Sequence, residues 1–315
     1  MSGDTPRYVF GPVPSRRLGR SLGVDLVPFK TCSHNCIYCQ LGRTTNQTLM
    51  RDEYAPTHTV IEQLRTALTG GDRPDSVTLA GSGEPTLHSR IGEVIAAIKQ
   101  LSDVPVTILT NGSLFDQPEV RQACAQADRV VPSLDAGSEA VFQRINRPAP
   151  GLTLAGHAAG LAAFRGGFNG QLWLEVMLVE GINSTDEEVL EIRSLAERIR
   201  PDRIQLNTVV RPPAEDAAQA VGAERMAEIA AVMGPHTEVI ADYQARHVPA
   251  DVARRREEVL AMLERRPCTL ADVAAGLGIH PNEAVKHVTH LLEEGSIARR
   301  LRGGQQYYET ASRQP

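Results

Sequence analysis

The chain has 315 residues, of which 42% are hydrophobic and 23% charged, and its formal net charge is −5. This is the composition of an ordinary globular protein, with enough residues for one full α/β domain and a smaller second one. No segment approaches the roughly 20 apolar residues of a membrane span, and the first residues lack the basic-then-apolar build of a signal peptide. We therefore expect a cytoplasmic protein with no membrane partner. Five cysteines in a chain of this size do not indicate a disulfide framework.

Short apolar, β-branched segments alternate with amphipathic segments through most of the chain. The predicted strands are residues 21–28, 76–80, 106–110, 129–133, 171–179, 203–209 and 237–241. The predicted helices between them include residues 57–69, 91–101, 118–127 and 186–199. Apolar strands separated by helices indicate parallel pairing with both faces of the sheet covered. Because these units are fewer than the eight of a closed barrel, we predict an α/β fold with a partial barrel over residues 1–248.

The pattern changes after about residue 250. The predicted helices there are residues 252–265, 270–275 and 281–294, and the predicted strands are residues 296–301 and 305–310. Thr269 is the expected N-cap of the second helix, and the turn at 302–304 is typical of a hairpin. Three helices followed by a hairpin are the order of a winged helix-turn-helix, so we predict such a domain over residues 252–311.

Three cysteines stand close together in the pattern C-x3-C-x2-C: Cys32, Cys36 and Cys39. Three thiolates are too few for a structural zinc site, which normally takes four ligands. They suit three corners of a [4Fe–4S] cluster that leaves one iron open. A zinc site completed by His34 or a remote ligand is the alternative. We expect the two remaining cysteines, Cys124 and Cys268, to be packed as small apolar residues.

The cysteine pattern, with Tyr38 just before its last cysteine, resembles the signature of the radical S-adenosylmethionine (radical SAM) superfamily. The resemblance implies a partial (β/α)6 barrel and a [4Fe–4S] cluster whose open iron is chelated by S-adenosylmethionine (SAM). It also implies reductive cleavage of SAM to methionine and a 5′-deoxyadenosyl radical that abstracts hydrogen from a substrate. The electron would come from a donor such as flavodoxin or ferredoxin, and Tyr38 would shield the cluster or lie against the adenine.

The segment after the second predicted strand resembles the family's glycine-glycine-glutamate loop, which implies that it holds the SAM amino group: Gly81, Ser82, Gly83 and Glu84. Small residues let a backbone approach a ligand, and a carboxylate suits an ammonium group. Polar residues at the ends of later strands are similar to family residues near SAM: Asn111, Ser133, Asp135, Glu175 and Asn207. Each has a structural alternative, because Asn-Gly is a common turn and Ser or Asp after a strand often caps a helix.

Further segments resemble one branch of bacterial and archaeal radical SAM proteins that is often grouped with the wyosine-base (four-demethylwyosine synthase) enzymes of tRNA modification. They are residues 11–19, 21–25, 39–42, 81–88 and 145–148. The wyosine enzymes usually carry a second cluster and a lysine that engages pyruvate. This chain has no second group of cysteines, so the resemblance does not extend to wyosine chemistry itself.

Three arginines precede the cysteine pattern: Arg16, Arg17 and Arg20. An arginine can bind a carboxylate or a phosphate through two parallel hydrogen bonds. We therefore predict that at least one of them contacts the substrate or SAM, the alternative being a solvated loop.

The predicted winged helix has arginines suited to a phosphate backbone, at Arg299, Arg300 and Arg302, but its third helix offers a poor base-reading surface. A nucleic acid or a protein is the expected partner there. Two functions follow. One is a radical SAM enzyme acting on a tRNA, peptide or protein, and the other is an Fe–S- or SAM-sensing regulator that binds DNA.

Overall fold

The structure is a computed structural model that describes residues 6–15, 17–70, 73–240, 250–302 and 305–311. Its strands are β1 (Val9–Ser15), β2 (Gly19–Val24), β3 (Thr31–Cys32), β4 (Asn46–Gln47), β5 (Ser76–Leu79), β6 (Val106–Thr110), β7 (Arg129–Pro132), β8 (Gln171–Leu178), β9 (Arg203–Thr208), β10 (Thr237–Val239), β11 (Ile297–Arg302) and β12 (Gln305–Thr310). Its helices are α1 (Thr57–Thr69), α2 (Ile91–Leu101), α3 (Pro118–Cys124), α4 (Glu139–Ile145), α5 (Leu154–Gly167), α6 (Asp186–Ile199), α7 (Ala223–Met233), α8 (Ala250–Arg265), α9 (Leu270–Leu277) and α10 (Pro281–Glu293). Among these helices, none is long and apolar enough to cross a membrane.

One large sheet dominates the fold, with the strand order β1-β2-β5-β6-β7-β8-β9-β10. β1 runs antiparallel to β2, and the other neighbouring strands of this sheet pair in parallel. The predicted α/β class with a mostly parallel sheet is confirmed. The sequence does not predict β1, because its glycine and two prolines are residues that strand interiors avoid. Its position at the edge of the sheet tolerates them.

The sheet is so strongly curved that the strands near its two edges approach each other. Arg17, in the turn between β1 and β2, donates hydrogen bonds to Glu175 of β8 (2.9 Å) and Gln205 of β9 (3.2 Å). In a flat sheet β8 would lie four strand spacings from β2, about 19 Å away, which is far beyond the reach of one side chain. The contact therefore requires a strongly curved, barrel-like sheet.

The predicted helices that match best are those with a clear apolar stripe. The structure has α1, α2 and α6 with the predicted bounds, and the side chain of Thr185 caps α6. The sequence does not predict α5, because small residues occupy most of its positions and no amphipathic stripe marks it. α3 ends at Cys124, three residues before the predicted end.

The C-terminal module, α8–α10 with the hairpin of β11 and β12, has a hydrophobic core of its own. Thr269 caps α9 in a capping box with Asp272, as the sequence predicts for the cap. Phe29 and Leu41 of the barrel pack against this core, so the module is docked beside the cysteine loop. The predicted domain boundary lies between residues 248 and 252, and α8 begins within it, at Ala250. Residues 248 and 249 and the tip of the predicted turn at 303–304 lie outside the described residues.

Two glycines of α5 differ in the room around them and allow a matched test of the packing. A Cβ on Gly160 would lie 2.8 Å from the backbone of Phe115 and Asp116, whereas nothing lies within 4 Å of one on Gly166. We expect Gly160→Ala to destabilise the protein by about 1–3 kcal/mol, because the backbone must shift to make room. Gly166→Ala should be neutral or stabilising by up to about 1 kcal/mol. Urea unfolding followed by circular dichroism measures both, and equal effects would contradict this packing.

Candidate active site

A cavity of about 410 Å³ opens at the carboxyl ends of the parallel strands. This volume lies within the roughly 300–1,000 Å³ typical of small-molecule sites. Most of the predicted site residues line it: Arg17, Cys32, Cys36, Tyr38, Cys39, Gly81, Ser82, Gly83, Glu84, Asn111, Ser133, Glu175 and Asn207. Residues far apart in the sequence thus meet at one place, as expected where parallel strands end.

The three thiols of the cysteine loop each have a side-chain nitrogen beside them. The pairs are Asn111 Nδ2 with Cys32 Sγ at 3.5 Å, Asn146 Nδ2 with Cys36 Sγ at 3.6 Å and Lys30 Nζ with Cys39 Sγ at 3.1 Å. Such donors stabilise a thiolate, which is the form of cysteine that binds metal. Burial raises the pKa of Cys32 to about 12 and also raises the pKa of Cys36. These two thiols therefore stay protonated at neutral pH until a bound cation offsets the cost of the charge.

The cysteine loop is joined to the loop after β5 by backbone hydrogen bonds. Lys30 N donates to Ser82 O (2.7 Å), and Glu84 N donates to Thr31 O (3.1 Å). A Cβ on Gly83 would lie 1.7 Å from Thr31 O, so glycine alone allows this approach. The resemblance explains these glycines by the approach of a ligand. At Gly83 the close partner is instead the cysteine loop.

The carboxylate of Glu84 is buried and faces the end of β6. It accepts hydrogen bonds from Thr86 Oγ1 (2.6 Å), Thr110 Oγ1 (2.6 Å) and the backbone nitrogens of Thr86 (3.0 Å) and Asn111 (2.7 Å). Burial raises the pKa of Glu84, and these hydrogen bonds act in the opposite direction. With these contacts, Glu84 fixes the loop after β5 against the next strand.

Asp135, which the resemblance places near SAM, is not among the described residues that line the cavity. It is buried behind Tyr38, whose hydroxyl donates to it at 2.5 Å, and it also accepts from Asn146 Nδ2 (2.7 Å) and Met177 N (2.8 Å). Burial raises the pKa of Asp135 to about 6, and the Tyr38 hydroxyl counteracts this rise. Asp135 therefore holds Tyr38 and Asn146, the residues beside the cysteines.

The three arginines predicted to contact the substrate or SAM differ in their positions. Arg17 lines the cavity, but its partner is Glu175, with side chains that are 13% and 14% exposed. Glu175 also accepts from Asn207 Nδ2 (3.0 Å), so the three side chains form one network on the wall. Arg20 lies at the exposed start of β2 and is not among the described residues of the cavity wall. Arg16 lies outside the described residues.

His34, the expected fourth ligand of the zinc alternative, is buried against Phe142 and near His157. Burial lowers its pKa to about 3, so the imidazole is neutral. Both of its ring nitrogens lack a hydrogen-bond partner in the part of the chain that is described. Within that same part, no group of three or more His, Cys, Asp or Glu side chains converges on one point so that it could hold a single metal ion, as a zinc site would require.

Several cavity residues were not found by sequence reasoning. Lys30 and Asn146 lie in or beside segments with family resemblance, but their role depends on a contact with a specific thiol. Asn282 and Lys286 of α10 also line the cavity. No local pattern could place them there, because they belong to a separate module far along the chain.

The other two cysteines are packed as the sequence predicts. Cys124 is buried in the core of the barrel, and Cys268 is buried in the core of the C-terminal module. Burial raises the pKa of both thiols, as expected for packed apolar residues.

Comparison with known proteins identifies the family. A family model described as the radical SAM superfamily matches residues 26–196, which include the cysteine loop and the loop after β5. The chain belongs to the radical SAM superfamily. The resemblance inferred from the cysteine pattern is thus confirmed, while the grouping of this radical SAM chain with the wyosine-base enzymes stays a prediction.

Relatives of this radical SAM chain differ in how much they share with it. A relative named GTPase Obg from Brachyspira hyodysenteriae is 36% identical over 301 residues, which are 95% of this chain but 44% of that protein. The chain thus spans less than half the length of that relative. A UPF0026 protein of Helicobacter pylori is 34% identical over 316 residues, 98% of this chain and 99% of that protein, so the chain also belongs to the UPF0026 family. The solved structure of the FeFe-hydrogenase maturase HydG from Carboxydothermus hydrogenoformans has the same fold, with a TM-score of 0.51, 15% identity and coverage of 73% of this chain and 55% of that one.

The role of Glu84 in holding the site can be tested without any cofactor. In Glu84→Gln an amide NH2 replaces one accepting oxygen and faces donors, so we expect a loss of about 1–3 kcal/mol in the free energy of unfolding. Glu93→Gln in α2 is the matched control. Its exposed ion pair with Arg90 should be worth no more than about 1 kcal/mol. Urea unfolding of the cofactor-free protein measures both, and a Glu84 variant as stable as the Glu93 variant would refute the role.

Proposed function

We propose that the protein is a radical SAM enzyme in which Cys32, Cys36 and Cys39 hold a [4Fe–4S] cluster with one open iron. The observation that carries the proposal is that the three cysteines line one cavity together with residues 81–84 and the polar residues at the strand ends. When bound, the cluster supplies the electron that splits SAM into methionine and a 5′-deoxyadenosyl radical, which takes a hydrogen atom from the substrate. A one-electron donor such as flavodoxin or ferredoxin is the proposed reductant.

The thiols of this chain fit such a cluster. They are free, they share one cavity, and each has its own nitrogen donor. In a cluster each cysteine binds a different iron, whereas zinc ligands converge on one ion at about 2.3 Å. The proposal therefore assigns the three cysteines to separate irons of one cluster rather than to a shared zinc ion.

Polar groups on the cavity wall support a SAM site beside the cysteines. We propose that the backbone of residues 81–84 and the side chains of Asn111, Ser133 and Asn207 contact SAM. Glu84 lines the same cavity and would face the SAM amino group, whereas Asp135 is buried and would act on SAM through Tyr38 and Asn146, which donate to it. Glu84 would also keep the loop after β5 in place while SAM binds, and Asp135 would keep Tyr38 in place.

The arrangement of α10 favours an enzyme over a DNA-binding regulator. Glu283, in the first turn of α10, accepts a hydrogen bond from Gly11 N of β1 (3.0 Å), and Asn282 and Lys286 line the cavity. A helix that packs on the barrel in this way cannot enter a major groove at the same time. We propose a substrate that reaches the cavity beside α10, such as part of a tRNA, a peptide or a protein.

The proposed function is tested by anaerobic reconstitution with iron and sulfide, followed by dithionite and SAM. The wild-type protein should turn brown and release 5′-deoxyadenosine and methionine in equal amounts. Cys32→Ser, Cys36→Ser and Cys39→Ser should each reduce 5′-deoxyadenosine by more than the roughly 10- to 100-fold seen when an outer-shell partner of a metal is lost. Cys268→Ser, in the C-terminal core, is the matched control and should keep both iron and activity.

Two results would contradict the proposal. One is a wild-type protein that binds iron and sulfide but never cleaves SAM under reducing conditions. The other is tight binding of a specific duplex DNA sequence by the intact protein, which would favour the regulator instead.

A further inference from the structure

The carboxylate of Asp25, just after the end of β2, connects the loop after β5 to the C-terminal module. Its Oδ1 accepts from Ser82 N (3.1 Å), and its Oδ2 accepts from both Ser82 Oγ and His280 Nε2 (2.7 Å). Asp25, Ser82 and His280 are 6%, 3% and 5% exposed. A buried carboxylate is costly unless its hydrogen bonds are made. Because Ser82 and His280 donate to the same carboxylate, a shift of one of them disturbs the hydrogen bonds of the other.

The ring of His280 is fixed in one orientation. Its Nδ1 accepts from Asn282 N (3.2 Å) and so caps α10, which leaves Nε2 as the nitrogen that carries hydrogen and donates to Asp25. Phe10 of β1 stacks on the ring, with centroids 3.8 Å apart and planes 3° from parallel. One imidazole thus caps a helix of the module and donates to a carboxylate of the barrel.

Ser82 belongs to the loop that the proposed function assigns to SAM. Its backbone oxygen accepts from Lys30 N in the cysteine loop, and its nitrogen and hydroxyl donate to Asp25. The residue is therefore held from both sides, by the cysteine loop and by Asp25. Weakening the hydrogen bonds between Ser82 and Asp25 should therefore loosen the loop after β5 while the contacts of the three thiols stay unchanged.

We propose that His280 is a positioning residue for the SAM site, and that the C-terminal module is a structural part of that site. The module fixes the loop after β5 through His280 and Asp25, and it contributes Asn282 and Lys286 to the cavity wall. This inference rests on the proposed function for the identity of the ligand, but the link from His280 to Ser82 can be measured without it.

Two substitutions separate the roles of the His280 ring. In His280→Asn the amide oxygen can still cap α10 in place of Nδ1, but the side chain is too short to reach Asp25. In His280→Gln the amide nitrogen lies close to the position of Nε2 and can donate to Asp25 again. Asp25→Asn tests the same link from the barrel side and gives a second variant should the first be unstable.

The control removes a different contact between the module and the barrel. Arg299 of β11 is paired with Asp216 and also donates to Pro213 O (3.2 Å), away from Asp25. Arg299→Gln therefore weakens the docking of the module without touching the link to Ser82.

The first measurement is hydrogen exchange of the cofactor-free protein, read on the peptide that contains Ser82. Its amide should exchange several-fold faster in His280→Asn and Asp25→Asn, and at nearly the wild-type rate in His280→Gln and Arg299→Gln. The second measurement is SAM binding to the reconstituted protein by equilibrium dialysis. The dissociation constant should rise about tenfold in His280→Asn, at the lower end of what loss of an outer-shell partner costs, and recover in His280→Gln.

The outcomes are distinct. Unchanged exchange at Ser82 in His280→Asn overturns the link, and an equal effect of Arg299→Gln shows that general undocking, rather than His280, is responsible. If exchange changes as expected but SAM affinity does not, His280 positions the loop and not the SAM site, and the proposal is wrong. If the reconstituted wild-type protein does not bind SAM, the proposed function fails, and the exchange data still decide the link itself.

Discussion

The backbone contact between the cysteine loop and the loop after β5 is the constraint on which the site depends. It requires Gly83, because any side chain there would collide with the carbonyl oxygen of Thr31. Once the two loops are joined, the cysteines and residues 81–84 can only face the same cavity. The proposed cluster and the proposed SAM site are therefore not independent features. A displacement of one loop moves the other.

Three buried carboxylates support this pair of loops: Asp25, Glu84 and Asp135. Each accepts three or more hydrogen bonds, mostly from neutral donors, and each bonds directly to a residue of the cavity wall. A buried carboxylate is costly unless its hydrogen bonds are made with good geometry. Because the cost returns if a donor moves, these groups oppose small shifts of the loops. Such preorganisation is what a site needs when it must hold a ligand in one orientation.

The sequence predicts the parts of this site that are local. The spacing of Cys32, Cys36 and Cys39 and the segment at residues 81–84 are contiguous patterns, and helices such as α2 and α6 follow from their apolar stripes. The alternation of strands and helices predicts a parallel sheet, in which residues at the carboxyl ends of the strands lie at the same end of the sheet. These features depend on neighbours a few residues away, which is why they can be found from one sequence.

What the sequence does not predict depends on distant partners. The pairing of Lys30 with the Cys39 thiol needs the exact course of the cysteine loop, including the left-handed backbone conformation of Lys30 (φ 60°). Asp135 is predicted to lie near SAM because it follows a strand, but the hydrogen bond that it accepts from the Tyr38 hydroxyl depends on the course of the cysteine loop. His280 lies 255 residues from Asp25 along the chain, and no sequence pattern around either residue predicts their contact. The edge strand β1 is not predicted for a similar reason. Its prolines are compatible with a strand only because β1 lies at the edge of the sheet.

The charges of the C-terminal module bear on what the open side of the cavity can receive. Two of the three arginines expected to face phosphate are paired within the chain, Arg299 with Asp216 of the barrel and Arg300 with Glu309 of the same hairpin, and the side chain of Arg302 lies outside what the structure describes. A nucleic acid bound along the hairpin of β11 and β12 would have to break these pairs and compete with two carboxylates. Asn282 and Lys286 of α10 line the cavity. The polar groups that the module contributes to the cavity wall therefore lie beside the proposed site, whereas a contact along the hairpin has to replace ion pairs that are already made.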